Sequence, residues 1–126
     1  SSSLNLILAQ RLARRICANC KEEAKILPKA LLDAGMKPER IKHAQPCKGK
    51  GCDDCNGTGF RGRVALYEVM PVKEDLKDLI LRGGSAIEVK REAIRLGMKS
   101  LRQSGLSKAE EGVTTLEEVL RVTATD

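Results

Sequence analysis

Cys17-Ala18-Asn19-Cys20 and Cys52-Asp53-Asp54-Cys55, the second running on into Asn56-Gly57-Thr58-Gly59, are the stretches on which the reading of this chain turns. A Cys-x-x-Cys turn lets two thiolates reach one ion from a short knuckle. Two knuckles complete a tetrahedral shell of four sulfurs, a donor set that suits zinc or, less often, iron. Cys17, Cys20, Cys52 and Cys55 are therefore the candidate metal ligands. Four thiolates leave no open coordination position, so a site of this kind holds structure and does not perform chemistry. The run from Lys21 to Gly51 exceeds the usual zinc-ribbon spacer, which predicts an extra structural element inside the loop.

Other uses of cysteine fit less well. Disulfides call for an oxidising compartment, yet no signal-peptide pattern opens the sequence and the cysteines number five, which is odd. A thioredoxin-like redox pair accounts for one Cys-x-x-Cys but not for two. Cys47, five residues before Cys52, is expected to be a free thiol, and His43, the only histidine, an exposed side chain.

With one Tyr, one Phe and no Trp, the core must be aliphatic, and a metal can substitute for missing hydrophobic mass in its own lobe. No apolar run approaches the length of a membrane span. The net charge of +6 is compatible with acidic partners, but Lys and Arg are interleaved with Asp and Glu along the C-terminal half, the pattern of a solvated helix surface. Stacking aromatics for single-stranded nucleic acid are missing.

Along the chain, Leu4, Leu8, Leu12 and Ile16 recur four apart, which predicts an amphipathic helix over residues 1–16, capped by Ser3. The abrupt Ser1-Ser2-Ser3 opening reads as the tail of a longer protein. Residues 17–62 form the metal lobe, with a short helix from Pro28 to Ala34 stopped at Gly35 and another turn at Pro38–Ile41. Arg63 to Met70 is the one convincing strand. It is apolar on both faces, as a strand in the middle of a layered sheet would be, and the chain is expected to supply no partner for it. The rest of 63–126 reads as helices: Lys73 to Leu81, a capping box Ser85-x-x-Glu88 opening a helix to Leu96, Met98 to Glu110 interrupted near Gly105, and overlapping capping boxes at Thr114 and Thr115. Glu110/Glu111 and Glu117/Glu118 read as surface and helix-start charges rather than a catalytic pair. The fold class is thus mostly α with a small β component: a four-cysteine zinc-binding lobe, then a strand and a C-terminal helical bundle.

These blocks resemble the C-terminal part of the bacterial type II secretion and type IV pilus extension ATPases. The matching stretches are Leu8-Ala9-Gln10-Arg11-Leu12 leading into Cys17-x-x-Cys20, Gly51 through Arg63, Leu66-Tyr67-Glu68-Val69, Ser100-Leu101-Arg102-Gln103-x-Gly105, and Thr114 through Thr123. The helical insert and the Asn-Gly-Thr-Gly-Phe tail look more like the pilus branch. The resemblance implies a cytoplasmic, homohexameric ATPase that works at the inner membrane against a platform protein. Residues 1–16 and the strand would be the tail of its RecA-like core, and the four cysteines its structural zinc site. ATP and Mg2+ would bind only in the full-length protein, because no Gly-x-x-x-x-Gly-Lys-Ser/Thr occurs here. Two other classes share single features: a DnaJ-like zinc-dependent polypeptide-binding module, which repeats Cys-x-x-Cys-x-Gly-x-Gly four times, and a nucleic-acid-binding zinc ribbon, which would fit the charge but not the long helical C-terminus.

Overall fold

A computed structural model describes residues 4–72 and 74–124. The frame is a long antiparallel ribbon of two strands, β1 (Leu4–Ile16) and β4 (Phe60–Val72), paired from Leu4↔Val72 to Ile16↔Phe60. Between them the chain leaves the ribbon to build the lobe: β2 (Lys21–Glu23), α1 (Pro28–Ala34), α2 (Pro38–Ile41), β3 (Cys47–Gly49) and a 3-10 turn at Asp53–Cys55, with β2 and β3 forming a second small antiparallel pair. After β4 come α3 (Glu74–Leu81), α4 (Ala86–Arg95), α5 (Leu101–Glu110) and α6 (Leu116–Val122).

The first segment is therefore a strand and not the helix expected over residues 1–16. Leucines spaced by four satisfy a period of two as well as one of 3.6, so Leu4, Leu8 and Leu12 cannot separate strand from helix. The deciding term is tertiary: β4 offers this segment a complete hydrogen-bonding partner. A register shift between Ile7 and Ala9 marks a bulge at Leu8, which further blurs the alternation. The proposed Ser3 cap and Lys73 lie outside the described residues.

β4 is also covered differently from expectation. Val64, Leu66 and Met70, alternate residues of one face, are buried. The opposite face, with Tyr67 at 41% exposure and its neighbours Leu12 and Ile7 on β1, is open among the described residues. The far edge of β4 is met by Lys99, whose carbonyl accepts from the Val69 N–H, and by the Ser104 hydroxyl at the Tyr67 N–H.

Helix limits follow local chemistry. Pro28 opens α1, and Gly35, at φ 108°, closes it in the left-handed conformation. Ser85 and Glu88 form the expected reciprocal capping box of α4. α5 runs through Gly105 without interruption. That glycine is there for packing, since a Cβ on it would stand 2.7 Å from Val119 Cγ1 and 3.3 Å from Leu66 Cδ1. Gly105 thus lets α6 and β4 approach α5 closely.

Three aliphatic clusters make the core. One joins Leu31, Ala34 and Met36 of the lobe to Leu106, Ala109, Leu116 and Val119 of α5 and the α6 segment. A second holds Met70, Leu76, Ala93 and Met98, and the third Ala13, Val64 and Leu66. The lobe's helical insert is therefore seated on the C-terminal helices. Arg102, only 6% exposed, reinforces that junction. Its guanidinium donates to the Ala34 carbonyl at 3.0 Å, to Thr123 Oγ1 at 2.7 Å and to the Thr123 carbonyl at 3.1 Å. A buried cation is tolerated there because the carbonyl-rich C-terminal ends of α1 and α6 both point at it.

Candidate metal centre

Where β1 ends, the chain turns through Cys17-Ala-Asn-Cys20, and the Cys17 N–H donates to the Gly59 carbonyl at 2.9 Å. The start of the first knuckle is thereby tied to the tail of the second. The second knuckle is the 3-10 turn Asp53–Cys55, followed by Asn56 in the left-handed region at φ 54°. Gly59 (φ 82°) crosses the backbone of Gly49 so closely that a Cβ would lie 2.6 Å from the Gly49 carbonyl oxygen, so only glycine fits both requirements. This turn aims backbone N–H groups at sulfur.

The four sulfurs of Cys17, Cys20, Cys52 and Cys55 all lie within 4.8 Å of one another. Individual separations are 3.7 Å for Cys17–Cys52, 3.8 Å for Cys20–Cys55 and 3.7 Å for Cys52–Cys55. A regular tetrahedron with metal–sulfur bonds of about 2.3 Å has edges of about 3.8 Å. These three of the six edges match that figure, and all five cysteines are free thiols. The residues present thus fit a four-thiolate metal site with no vacant position.

Hydrogen bonds distribute unevenly over the set. Cys55 Sγ accepts from the Cys52 N–H at 3.3 Å and the Gly59 N–H at 3.2 Å, Cys20 Sγ from the Gly51 N–H at 3.3 Å, and Cys52 Sγ from the Asn19 side-chain amide at 3.2 Å. Acidity follows. Burial works against ionisation of Cys55, but the Cys52 and Gly59 N–H groups more than offset it and hold the thiol down at about 6. The Asn19 amide likewise lowers Cys52. The Gly51 N–H favours the Cys20 thiolate, yet desolvation and the neighbouring Cys52, Cys55 and Cys17 sulfurs outweigh it and push Cys20 up to about 12. Four thiols sharing one small volume cannot all carry charge without a cation among them.

Cys47 lies outside this group, on β3 opposite Glu23, with its thiol directed at the Gln45 carbonyl 3.4 Å away. His43 is likewise not among the clustered ligand atoms.

The residues that anchor the site to the rest of the chain are less visible in the sequence. Glu118 is not a surface charge: its side chain is 2% exposed. One carboxylate oxygen accepts from the Arg14 backbone N–H at 2.8 Å, and the other from the Arg14 guanidinium at 2.9 Å. Arg121 adds bonds at 3.0 and 2.8 Å. The Arg121 guanidinium first, and then Arg14, hold this carboxyl down at about 2 against the cost of burial. Arg14 also stacks 4.2 Å over the Phe60 ring. The Thr114 hydroxyl donates to the Arg14 carbonyl at 2.7 Å, and the Ile16 N–H donates to the Val113 carbonyl at 2.9 Å. The last residues of β1, immediately before Cys17, are therefore clamped by α6 and the residues that lead into it. A Thr-Thr-Leu-Glu-Glu stretch reads as capping chemistry. Thr115 does cap α6 by accepting from the Glu118 N–H, but the Glu118 carboxylate is committed to arginines instead.

Comparison with known proteins agrees with this arrangement. The family model for type II/IV secretion system proteins matches residues 1–121. The chain is 57% identical to a type IV pilus assembly ATPase of Myxococcus xanthus, over all of this chain and 22% of that protein. It is 47% identical to a type IV pilus assembly ATPase of Thermus thermophilus, over 95% of this chain and 14% of that protein. A type II secretion system protein E of Aeromonas hydrophila is 38% identical over all of this chain and 25% of its own length. The chain thus spans a quarter or less of these curated relatives. With a match across nearly its whole length and the paired-cysteine lobe in place, this chain belongs to the type II/IV secretion system protein family.

Proposed function

We propose that this chain is the metal-bearing C-terminal part of an ATPase that drives type IV pilus assembly, and that Cys17, Cys20, Cys52 and Cys55 hold one structural Zn2+. The observation that carries the metal assignment is the clustering of the four sulfurs within 4.8 Å, three of their separations being 3.7–3.8 Å. When bound, the ion supplies a cross-link between two knuckles 35 residues apart in sequence. The chain's own residues pass that constraint on: Cys17 to Gly59 through the backbone, and Arg14 to Glu118 at the base of the lobe. ATP and Mg2+ belong to the upstream RecA-like core and not to these residues, whose role is structural. The open ribbon face, with Ile7 65% and Leu12 45% exposed, is the surface on which that core would seat. In the working assembly the neighbours are further subunits of a homohexamer in the cytoplasm and a platform protein at the inner membrane. Among the described residues no helix is long and apolar enough to cross a membrane.

Identity favours the pilus branch over the secretion branch, 57% against 38% for relatives aligned over the whole chain. Family membership leaves the chaperone-like and nucleic-acid-binding readings without support. The test is a chimera in which this chain replaces the matching segment of the Myxococcus ATPase. Pilus assembly should be restored by the chimera and lost when Cys17 and Cys52 are both changed to Ser. A chimera that assembles pili equally well with both serines would refute the structural role of the metal.

A further inference from the structure

We propose that Asn19 is a positioning residue of the metal centre: its side-chain amide reaches from the first knuckle to the Cys52 sulfur of the second and governs how firmly that sulfur is held on the ion. The inference rests on the zinc reading above and adds to it a residue that is not itself a ligand. Three of the N–H···S bonds around the site come from backbone groups of Gly51, Cys52 and Gly59, which the turn geometry fixes. The fourth, Asn19 Nδ2 to Cys52 Sγ at 3.2 Å, comes from a side chain. Like the Gly51 N–H on Cys20, it links the two knuckles, joining a residue beside Cys20 to a sulfur 33 residues away. An N–H donor on a metal thiolate offsets part of the surplus negative charge of a four-thiolate site and orients the sulfur, so losing it weakens the hold of that ligand. Asn19 is exposed, so replacing it tests this bond with little disturbance of the core.

The decisive comparison is between Asn19→Ala and Asn19→Asp. The aspartate nearly reproduces the shape of asparagine but has no N–H and places a negative charge beside a thiolate. Zinc release to a chromogenic chelator should quicken about tenfold in Asn19→Ala, the lower end of what outer-shell partners of a metal contribute. Asn19→Asp should release faster still. The thiolate-to-cobalt charge-transfer band of Co2+-loaded protein should shift in both variants, while melting in excess zinc stays that of the unsubstituted chain. Release at the unsubstituted rate in both variants, or an aspartate variant that behaves like asparagine, would overturn the proposal. An unsubstituted chain that takes up neither Zn2+ nor Co2+ would defeat the zinc reading itself, and this inference with it. Normal metal uptake with unaltered release defeats this inference alone.

Discussion

Glu118→Gln is the substitution whose outcome the structure constrains most tightly. The glutamate lies at the base of the lobe, 2% exposed, with both oxygens occupied by Arg14 and Arg121. Glutamine keeps the size but has one acceptor oxygen and turns an N–H2 toward two guanidinium groups. Depression of the carboxyl from 4.5 to about 2 corresponds to an upper figure of about 3 kcal/mol at ~1.4 kcal/mol per pH unit. Because Arg14 and Arg121 are 51% and 55% exposed, solvent screening reduces this to about 2 kcal/mol. The sign is fixed by proton counting. Between the two pKa values the unfolded chain holds a proton on Glu118 and the native chain does not, so native stability falls as the pH drops. The contribution is complete above pH 4.5 and disappears as the pH falls toward about 2. Urea unfolding followed by circular dichroism from pH 2 to 7, for both proteins, gives the difference at each pH. A metal ion held by the proposed site would be lost in acid from both proteins, and that effect cancels. The difference should be about 2 kcal/mol at pH 7 and shrink toward zero near pH 2. A gap that stays constant across the whole range would show that the glutamine acts through shape alone.

Arg102→Met removes the guanidinium that satisfies the Ala34 and Thr123 carbonyls. Urea unfolding should show a loss of about 1–3 kcal/mol as the buried Ala34 carbonyl goes unpaired. Gly105→Ala forces a methyl against Val119 and Leu66. The gain in helix propensity, about 1 kcal/mol, is outweighed by overpacking of about 1–3 kcal/mol, so thermal melting should drop. Calorimetry with Mg-ATP should be flat, since the chain carries no phosphate-binding loop; a micromolar dissociation constant would place part of the nucleotide site here.

The clustering of Cys17, Cys20, Cys52 and Cys55 was legible in the sequence because half of its geometry is local. Each Cys-x-x-Cys knuckle presets two sulfurs, and the two pairs needed only to meet. Helix starts at Pro28 and Ser85 were legible for the same reason, the signal and its effect lying within one turn. Where a partner distant in sequence decides, local pattern misled. Leu4 to Ile16 is a strand because Phe60 to Val72 pairs with it, and Gly105 sits inside a helix because Val119, fourteen residues on, needs the space. Glu118 does stand in the first turn of α6, but it is buried rather than on the surface because Arg14, 104 residues earlier, lies against it. Its burial had one available signal: α6 places an arginine at Arg121, one turn beyond.

Cys17, Cys20, Cys52 and Cys55, and not Cys47, are proposed to hold one structural metal ion. Zinc content per chain after exhaustive dialysis, measured for the unsubstituted protein and for each single Cys→Ser variant, tests it most directly. About one zinc per chain is expected, retained in Cys47→Ser and depleted in each of the other four, in keeping with a closed four-thiolate site. Zinc lost on changing Cys47, or kept on changing Cys17 or Cys52, would contradict it.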